Sequence, residues 1–278
     1  MGVGAVTATP GRTLLARVAP PVLFGGRRAG RLVERNLMVY RRGWLLIVSG
    51  FFEPLFYLLS IGVGIGRLVG HVTGPGGHLT GYTAFVAPGL LASSAMNGAV
   101  YDSTMNVYFK LKFARTYEAI LSTPVGVGDV ALGEITWALM RGLLYATVFL
   151  GVMTAFGDVA SPWGLLVLPA AVLIGFAFAA TGMAATSYMR SWQDFDFVQL
   201  AVLPLFLFSA TFYPLSTYPR WLQLVVQCFP LYHGVALVRG LTLGAVGPGL
   251  AVHALYLAAM GLIGLRVASR RLGRLLLT

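Results

Sequence analysis

The chain has one cysteine, Cys228, so no internal disulfide can form and no second thiolate exists on which to build a metal cluster. Acidic residues are scarce: 9 against 20 lysines and arginines. Charged residues make up 10% of the 278 positions, where a soluble domain carries about 25%. No G-x-x-x-x-G-K-[ST] stretch occurs, so the chain lacks the phosphate loop of a P-loop ATPase. Met1–Pro10 lacks the basic start and apolar core of a cleavable signal peptide. What is present is apolar: 57% of residues are hydrophobic and the mean hydropathy is +0.79. These features predict an all-α polytopic membrane protein, with apolar mass for about six spans of roughly 20 residues each. The net charge of +11 is not read as a nucleic-acid signal, because the basic residues cluster beside the predicted spans.

In chain order, residues 1–43 read as a basic cytoplasmic arm. Arg27, Arg28, Arg31, Arg35, Arg41 and Arg42 surround Leu32, Val33, Leu37, Met38 and Tyr40, a mixture suited to an interfacial helix on anionic lipid. A plain topology signal explains the arginines equally well. Residues 44–268 read as a six-helix transmembrane domain, and 269–278 as a basic cytoplasmic tail. The first span, 44–65, carries Glu53 and Pro54. A short outer loop with His71 and His78 follows. The second span is 82–101, and Asp102 to Asn106 lead it out to the cytoplasm. The third, 130–155, carries Glu134 and Arg141 on one face. The fourth, 163–189, aligns Gly175, Ala179, Gly182 and Thr186 in a stripe that admits a close neighbour. The fifth, 197–213, is short. Residues 214–248, punctuated by Pro219, Trp221, Pro230, His233 and Arg239, read as two short re-entrant helices on the outer face. A crossing there would put Arg270, Arg271 and Arg274 outside, which the positive-inside rule disfavours. The last span is 250–267. This layout places sixteen Lys/Arg inside and three (Arg67, Arg220, Arg239) outside, with both termini cytoplasmic.

The segment Asn106–Asp129 is the one long interior stretch that carries charge. As a helix over 109–121, it places Phe109, Phe113, Thr116, Tyr117 and Ile120 on one face. Lys112, Arg115 and Glu118 fall opposite, at spacings that permit ion pairs. Lys110 sits at the edge, where a lysine can snorkel, and Leu111 breaks the pattern. Pro124 ends the helix. The segment is either a surface anchor for a loop or a docking helix for a soluble partner.

Two other functions remain open from the residues alone. An ion-coupled secondary transporter would use Glu53, Glu134, Arg141 or His253 as a proton relay, although no internal repeat is visible. A membrane-embedded enzyme would need convergent polar groups. The outer face offers His71, His78, Asp158 and His233, without a spacing that makes a catalytic or metal pair. Glu53 and Arg141 both fall near mid-bilayer and are expected to pair, the alternative being an Arg141–Glu134 pair within one helix.

Three stretches resemble the ABC-2 type permeases, the membrane subunits of a class of ATP-driven exporters. They are EPLFYLLSIGVGIG (53–66), KFARTYEAILSTPVGVGDVALGE (112–134) and LFLFSATFYPLSTYPRWLQLVVQCFPLYHGVALVRG (205–240). Within that family the chain is most similar to permeases that export nodulation lipo-oligosaccharides, with daunorubicin-type drug exporters further off. The resemblance implies a bacterial inner-membrane permease without a catalytic site, metal or cofactor of its own. It implies a separate cytoplasmic ABC ATPase that carries ATP and Mg, and a second permease copy or paralogue. It implies a coupling helix at 109–124 in which Lys112, Arg115, Tyr117, Glu118, Leu121 and Pro124 meet that ATPase. It implies outer re-entrant helices after the fifth span, and a substrate path between the two permeases.

Overall fold

The computed structural model describes residues 30, 32–38, 52, 55–114 and 116–277. The expectations placed on Glu53, Pro54 and Arg115, and on most of the basic arm, lie outside these residues. The arm's described part contains a short helix, α1 (32–38), whose Leu32 is buried in the core.

Helix α2, Leu55–Val69, is widened to π geometry over Ser60–Ile65. Gly70, at φ +69°, ends it. The expected loop then folds as a small hairpin, so the chain is not wholly helical. β1 (His71–Thr73) pairs antiparallel with β2 (Leu79–Gly81), His71 opposite Gly81. The reversal passes through Gly76 and Gly77, both at positive φ, a conformation that glycine adopts without a Cβ clash.

Helix α3, Tyr82–Tyr101, does not stop where a turn to the cytoplasm was expected. It continues through π-helical turns at Asp102–Asn106 and Phe109–Phe113 and breaks at Ala114. The polar residues stay inside the helix because their bonds close locally. Ser103 and Thr104 hydroxyls donate to the Val100 carbonyl (3.3 and 2.7 Å), and Asn106 Nδ2 donates to Asp102 Oδ1 (2.8 Å). Helix α4, Thr116–Leu121, is followed by a turn that ends it before Pro124, as the proline predicts. Helix α5, Val127–Ala155, starts three residues before the expected boundary, where the Asp129 carboxylate accepts the Gly126 N–H (3.0 Å).

A 3₁₀ turn at Pro162–Leu166 leads into α6, Val167–Thr186. The short inner connection is closed by Asp194, which accepts the backbone N–H groups of Arg190 and Ser191 (2.7 and 3.1 Å), holding its carboxyl below the usual range. Helix α7, Phe195–Phe208, ends five residues short of expectation. It stops in a tight bend where Ala210 takes a left-handed conformation, φ +55°. Helices α8 (Arg220–Gln227) and α9 (Pro230–Leu243) meet at 88°. That angle reflects Pro230, which opens α9 and cannot continue α8. Helix α10, Pro248–Leu277, continues past the expected end of the last span into the basic tail.

Among the described residues three helical stretches are long and apolar enough to cross a membrane: Val127–Ala155, Pro162–Thr186 and Pro248–Leu275. The bent pair α8–α9 makes a fourth if it counts as one crossing. The expected six spans are therefore not all evident from length and composition. At about 1.5 Å per residue, α7 reaches only some 21 Å, and α3 dilutes its apolar residues with serine, asparagine and glycine.

Helix α6 lies at the centre, packed by α3, α5, α9 and α10. Its small-residue stripe does admit close neighbours. A Cβ on Gly182 would collide with Ser103 Oγ, and one on Gly175 would sit 3.0 Å from Leu139. The tightest approach to a neighbouring backbone, on α10, was not foreseen: a Cβ on Gly264 would lie 2.8 Å from the Ala180 and Thr181 backbone. Gly264→Leu is expected to force α10 from α6, costing roughly 1–3 kcal/mol or more. Thermal melting of the purified protein checks this against Gly273→Leu, where nothing crowds the position.

Asp158, in the connection after α5, is buried, and its Oδ2 has no hydrogen-bond partner among the described residues. Burial raises its pKa from 3.8 to about 6. The folded state therefore holds the proton more tightly than the unfolded one, a contribution present below pH 3.8 and lost as pH rises through about 6. Asp158→Asn is expected to remove that loss, giving a melting temperature above the parent's at neutral pH and a flatter profile across this window.

Candidate functional site

A buried polar seam joins α1, the continuation of α3, and α5. Glu134, in the N-terminal part of α5, is 6% exposed. Its Oε2 accepts Lys110 Nζ at 2.7 Å and Asn36 Nδ2 at 3.3 Å, and Lys110 also reaches Asn36 Oδ1 at 3.5 Å. Further along α5, Arg141 Nη2 donates to Asp102 Oδ1 at 2.5 Å. Asp102 and Lys110 are eight residues apart on one side of the seam, and Arg141 and Glu134 seven apart on the other, in the opposite chain sense. The two ion pairs thus set the register of an antiparallel contact. Each needs a partner because an unpaired charge out of water is costly.

This arrangement corrects several expectations. Arg141 does not pair with Glu134, since each takes a residue from the α3 continuation. The Glu53–Arg141 pair lies outside the described residues. Lys110 does not snorkel from an apolar edge: it is the ion partner of Glu134. Asp102 and Asn36 were missed. The available signal was Asp102 four residues before Asn106, an i,i+4 polar pair that closes within a helix.

The predicted helix over 109–121 is two pieces. Its π-helical start and the break at Ala114 shift the angular phase, so Phe109 and Phe113 do not share a buried face with Tyr117. Both phenylalanines are exposed and stack on each other, centroids 5.7 Å apart. Phe113 also meets Trp192, beside Tyr108 and Phe195, in an aromatic cluster under the α6–α7 connection. Leu111, which broke the pattern, packs against the core.

In α4, Tyr117 is buried beside Glu134, and burial reinforced by that carboxylate pushes its phenol well above the usual tyrosine value. Ile120 and Leu121 are half-buried against the core. Lys112, Glu118 and Pro124 are exposed. Among the described residues no salt bridge joins Lys112 to Glu118. The outcome is a short helix with an anchored underside and a solvent-facing polar crest.

The outer block is built differently. Pro219 and Trp221 are exposed at the start of α8. His233 is buried, its Nδ1 lying 2.7 Å from His253 Nδ1 of α10 and its ring stacked on Tyr256. Arg239, expected within the re-entrant segment, is buried. Its Nε donates to the Phe85 carbonyl (2.9 Å), its Nη2 to the Thr211 carbonyl (3.1 Å), and its guanidinium lies 3.8 Å from the Phe85 ring centre. It is therefore a structural bridge between α3, the bend after α7, and α9, not a topology charge. Among the described residues no three His, Cys, Asp or Glu side chains converge as a metal site. The groups named for a proton relay have separate partners, His253 with His233 and Glu134 with Lys110.

A double-mutant cycle tests the seam. Lys110→Met alone leaves Glu134 buried without its counter-ion, an expected loss of order 3 kcal/mol. Adding Glu134→Leu is expected to restore part of it, and denaturant unfolding reads the coupling.

The sequence pattern of the ABC-2 type transporters matches residues 28–243, from α1 through α9. Nodulation protein J of Sinorhizobium fredii is 33% identical over 222 residues, covering 79% of this chain and 83% of that protein. Nodulation protein J of Rhizobium leguminosarum bv. viciae is 31% identical over 248 residues, covering 87% and 93%. A probable doxorubicin resistance ABC transporter permease of Mycobacterium tuberculosis is 24% identical over 242 residues, covering 82% and 84%. The matched region contains the seam, α4 and the outer block together, and on that match the chain belongs to the ABC-2 type transporter family, whose members are membrane transport subunits.

Proposed function

We propose that this chain is the permease half of an ATP-driven exporter in a bacterial inner membrane. It would cross six times with both termini cytoplasmic, α8 and α9 forming a re-entrant pair at the outer face. ATP and Mg belong to a separate cytoplasmic ABC ATPase, and a second permease copy or paralogue completes the path. The cargo is amphipathic: a lipid-linked saccharide, a lipid or a hydrophobic drug. The last class draws on the doxorubicin-resistance relative.

The observation that carries this reading is the construction of α4. Its crest, with Lys112 just before it, Glu118 on it and Pro124 after it, is exposed. Its underside is tied through Tyr117 and the neighbouring Lys110–Glu134 pair to α5 and α1. A push on the crest is thereby delivered to a predicted membrane span rather than absorbed by a free loop. Arg115 and Leu121 complete the expected contact.

Glu118→Arg reverses the sign of one exposed group without touching the underside. It is expected to reduce co-purification of the ATPase about tenfold, and substrate-stimulated ATP hydrolysis with it, while the permease melts unchanged. Undiminished co-purification and stimulation would remove α4 as the docking element.

A further inference from the structure

The exposed face of α10 changes character toward its C-terminal end. At 100° per residue, Val252, Leu255, Leu262 and Ile263 share one face, opposite the buried Leu257, Ala268 and Leu272. All four are exposed, as suits the lipid side of a helix long and apolar enough to cross a membrane. The same face then carries Arg266, Arg270 and Arg274 at successive i+4 positions, with Arg271 at its flank. Measured from Pro248 at about 1.5 Å per residue, Arg266 stands some 27 Å along the helix and Arg270 some 33 Å. A hydrocarbon core is about 30 Å thick, so these two arginines bracket its edge, where the lipid phosphates begin.

A second observation gives the same level. The Arg271 guanidinium lies 4.0 Å from the ring centre of Tyr188, in the α6–α7 connection, where Trp192 is exposed as well. Exposed tyrosine and tryptophan collect at the membrane–water interface. The arginines are also short of acid. No aspartate or glutamate follows Asp196 in the sequence. Among the described residues neither Arg266 nor Arg270 has a carboxylate partner, and both are exposed. A guanidinium fork matches a pair of phosphate oxygens. A zwitterionic lipid brings a cation of its own, which the neighbouring guanidiniums repel, and a lipid of net negative charge does not. Carboxylates of a soluble protein would meet the charges but not the apolar stretch that adjoins them on the same face.

We propose that the C-terminal end of α10 is a binding site for an anionic phospholipid of the inner leaflet. The phosphate is held between Arg266 and Arg270, and the acyl chains lie along Leu262 and Ile263. Arg271, seated on Tyr188, and Arg274 add positive potential around it. The proposal rests on α10 crossing the membrane with this end inside, as in the exporter reading, and needs neither the ATPase nor the cargo.

The test uses the full-length permease, delipidated in a neutral detergent, without ATPase or nucleotide. Native mass spectrometry reads the binding of dioleoyl phosphatidylglycerol and of dioleoyl phosphatidylcholine, each titrated separately. The parent is expected to bind phosphatidylglycerol about tenfold more tightly. Arg266→Gln and Arg270→Gln are each expected to weaken that binding about fivefold, equivalent to about 1 kcal/mol. Arg220→Gln, at the exposed start of α8, is expected to leave it unchanged. Melting in lipid-free detergent is expected to be the same for all of these proteins, because the altered side chains are exposed. Equal affinity of the parent for the two lipids overturns the proposal without recourse to any variant. So does a phosphatidylglycerol preference that survives when Arg266→Gln and Arg270→Gln are combined, or one that Arg220→Gln abolishes equally. If the combined variant keeps its lipid and loses ATPase co-purification instead, the arginines form a protein-docking surface and the proposal falls. Glu118→Arg, which tests α4, is expected to keep full lipid binding, so the two readings fail separately.

Discussion

Charge removed from water must be matched by opposite charge, and the seam of α1, α3 and α5 is arranged around that requirement. Four ionisable side chains, Asp102, Lys110, Glu134 and Arg141, are placed on two antiparallel stretches so that each meets its counter-ion. A shift of one residue in either stretch would part both pairs at once. The seam therefore does more than hold: it fixes how α5 stands against α3, and so where α4 emerges and how α1 lies. Pairs of this kind add little net stability over an apolar contact, while breaking one is expensive. Their contribution is to make a single register much better than its neighbours.

The block around α9 solves a different problem. The Phe85 carbonyl lies in α3 one turn before Gly89, and the bend after α7 leaves the Thr211 carbonyl without a helical partner. Arg239 answers both elements with one planar donor group, and Gly89 leaves the space for it: a Cβ there would lie 2.9 Å from the Thr211 side chain and 3.3 Å from Arg239 Nη2. A cation satisfied by carbonyls and a ring, with no carboxylate among its described partners, is suited to an apolar setting because guanidinium is weakly hydrated and forked. A lysine could supply neither the second direction nor the flat face.

Much of the architecture was legible in composition and periodicity. The apolar stretches, the end of α4 before Pro124, and the division of the late block at Pro230 follow from local rules on hydropathy and proline. The pairing of charges was not legible. A partner for Arg141 was sought on predicted spans, and Asp102 was set aside as part of a turn, because a polar run normally ends a span. The π-helical turns that retain it depend on the tertiary contact with α6, where Gly182 admits Ser103 and Thr186 takes the Ser103 carbonyl. The same turns displaced Phe109 and Phe113 from the face a uniform 100° step assigns them. The bonding of Arg239 was hidden for a related reason: a sequence shows the charge of an arginine but not the carbonyls that make burying it tolerable.

The backbone contact at Gly264 bears on motion. A helix that touches its neighbour through side chains can roll or slide by exchanging rotamers, but two main chains in direct apposition cannot. A step along α10 would replace Gly264 with Ile263 or Leu265 at a point with no room for a Cβ. Helices α6 and α10 are therefore held in one register at this point.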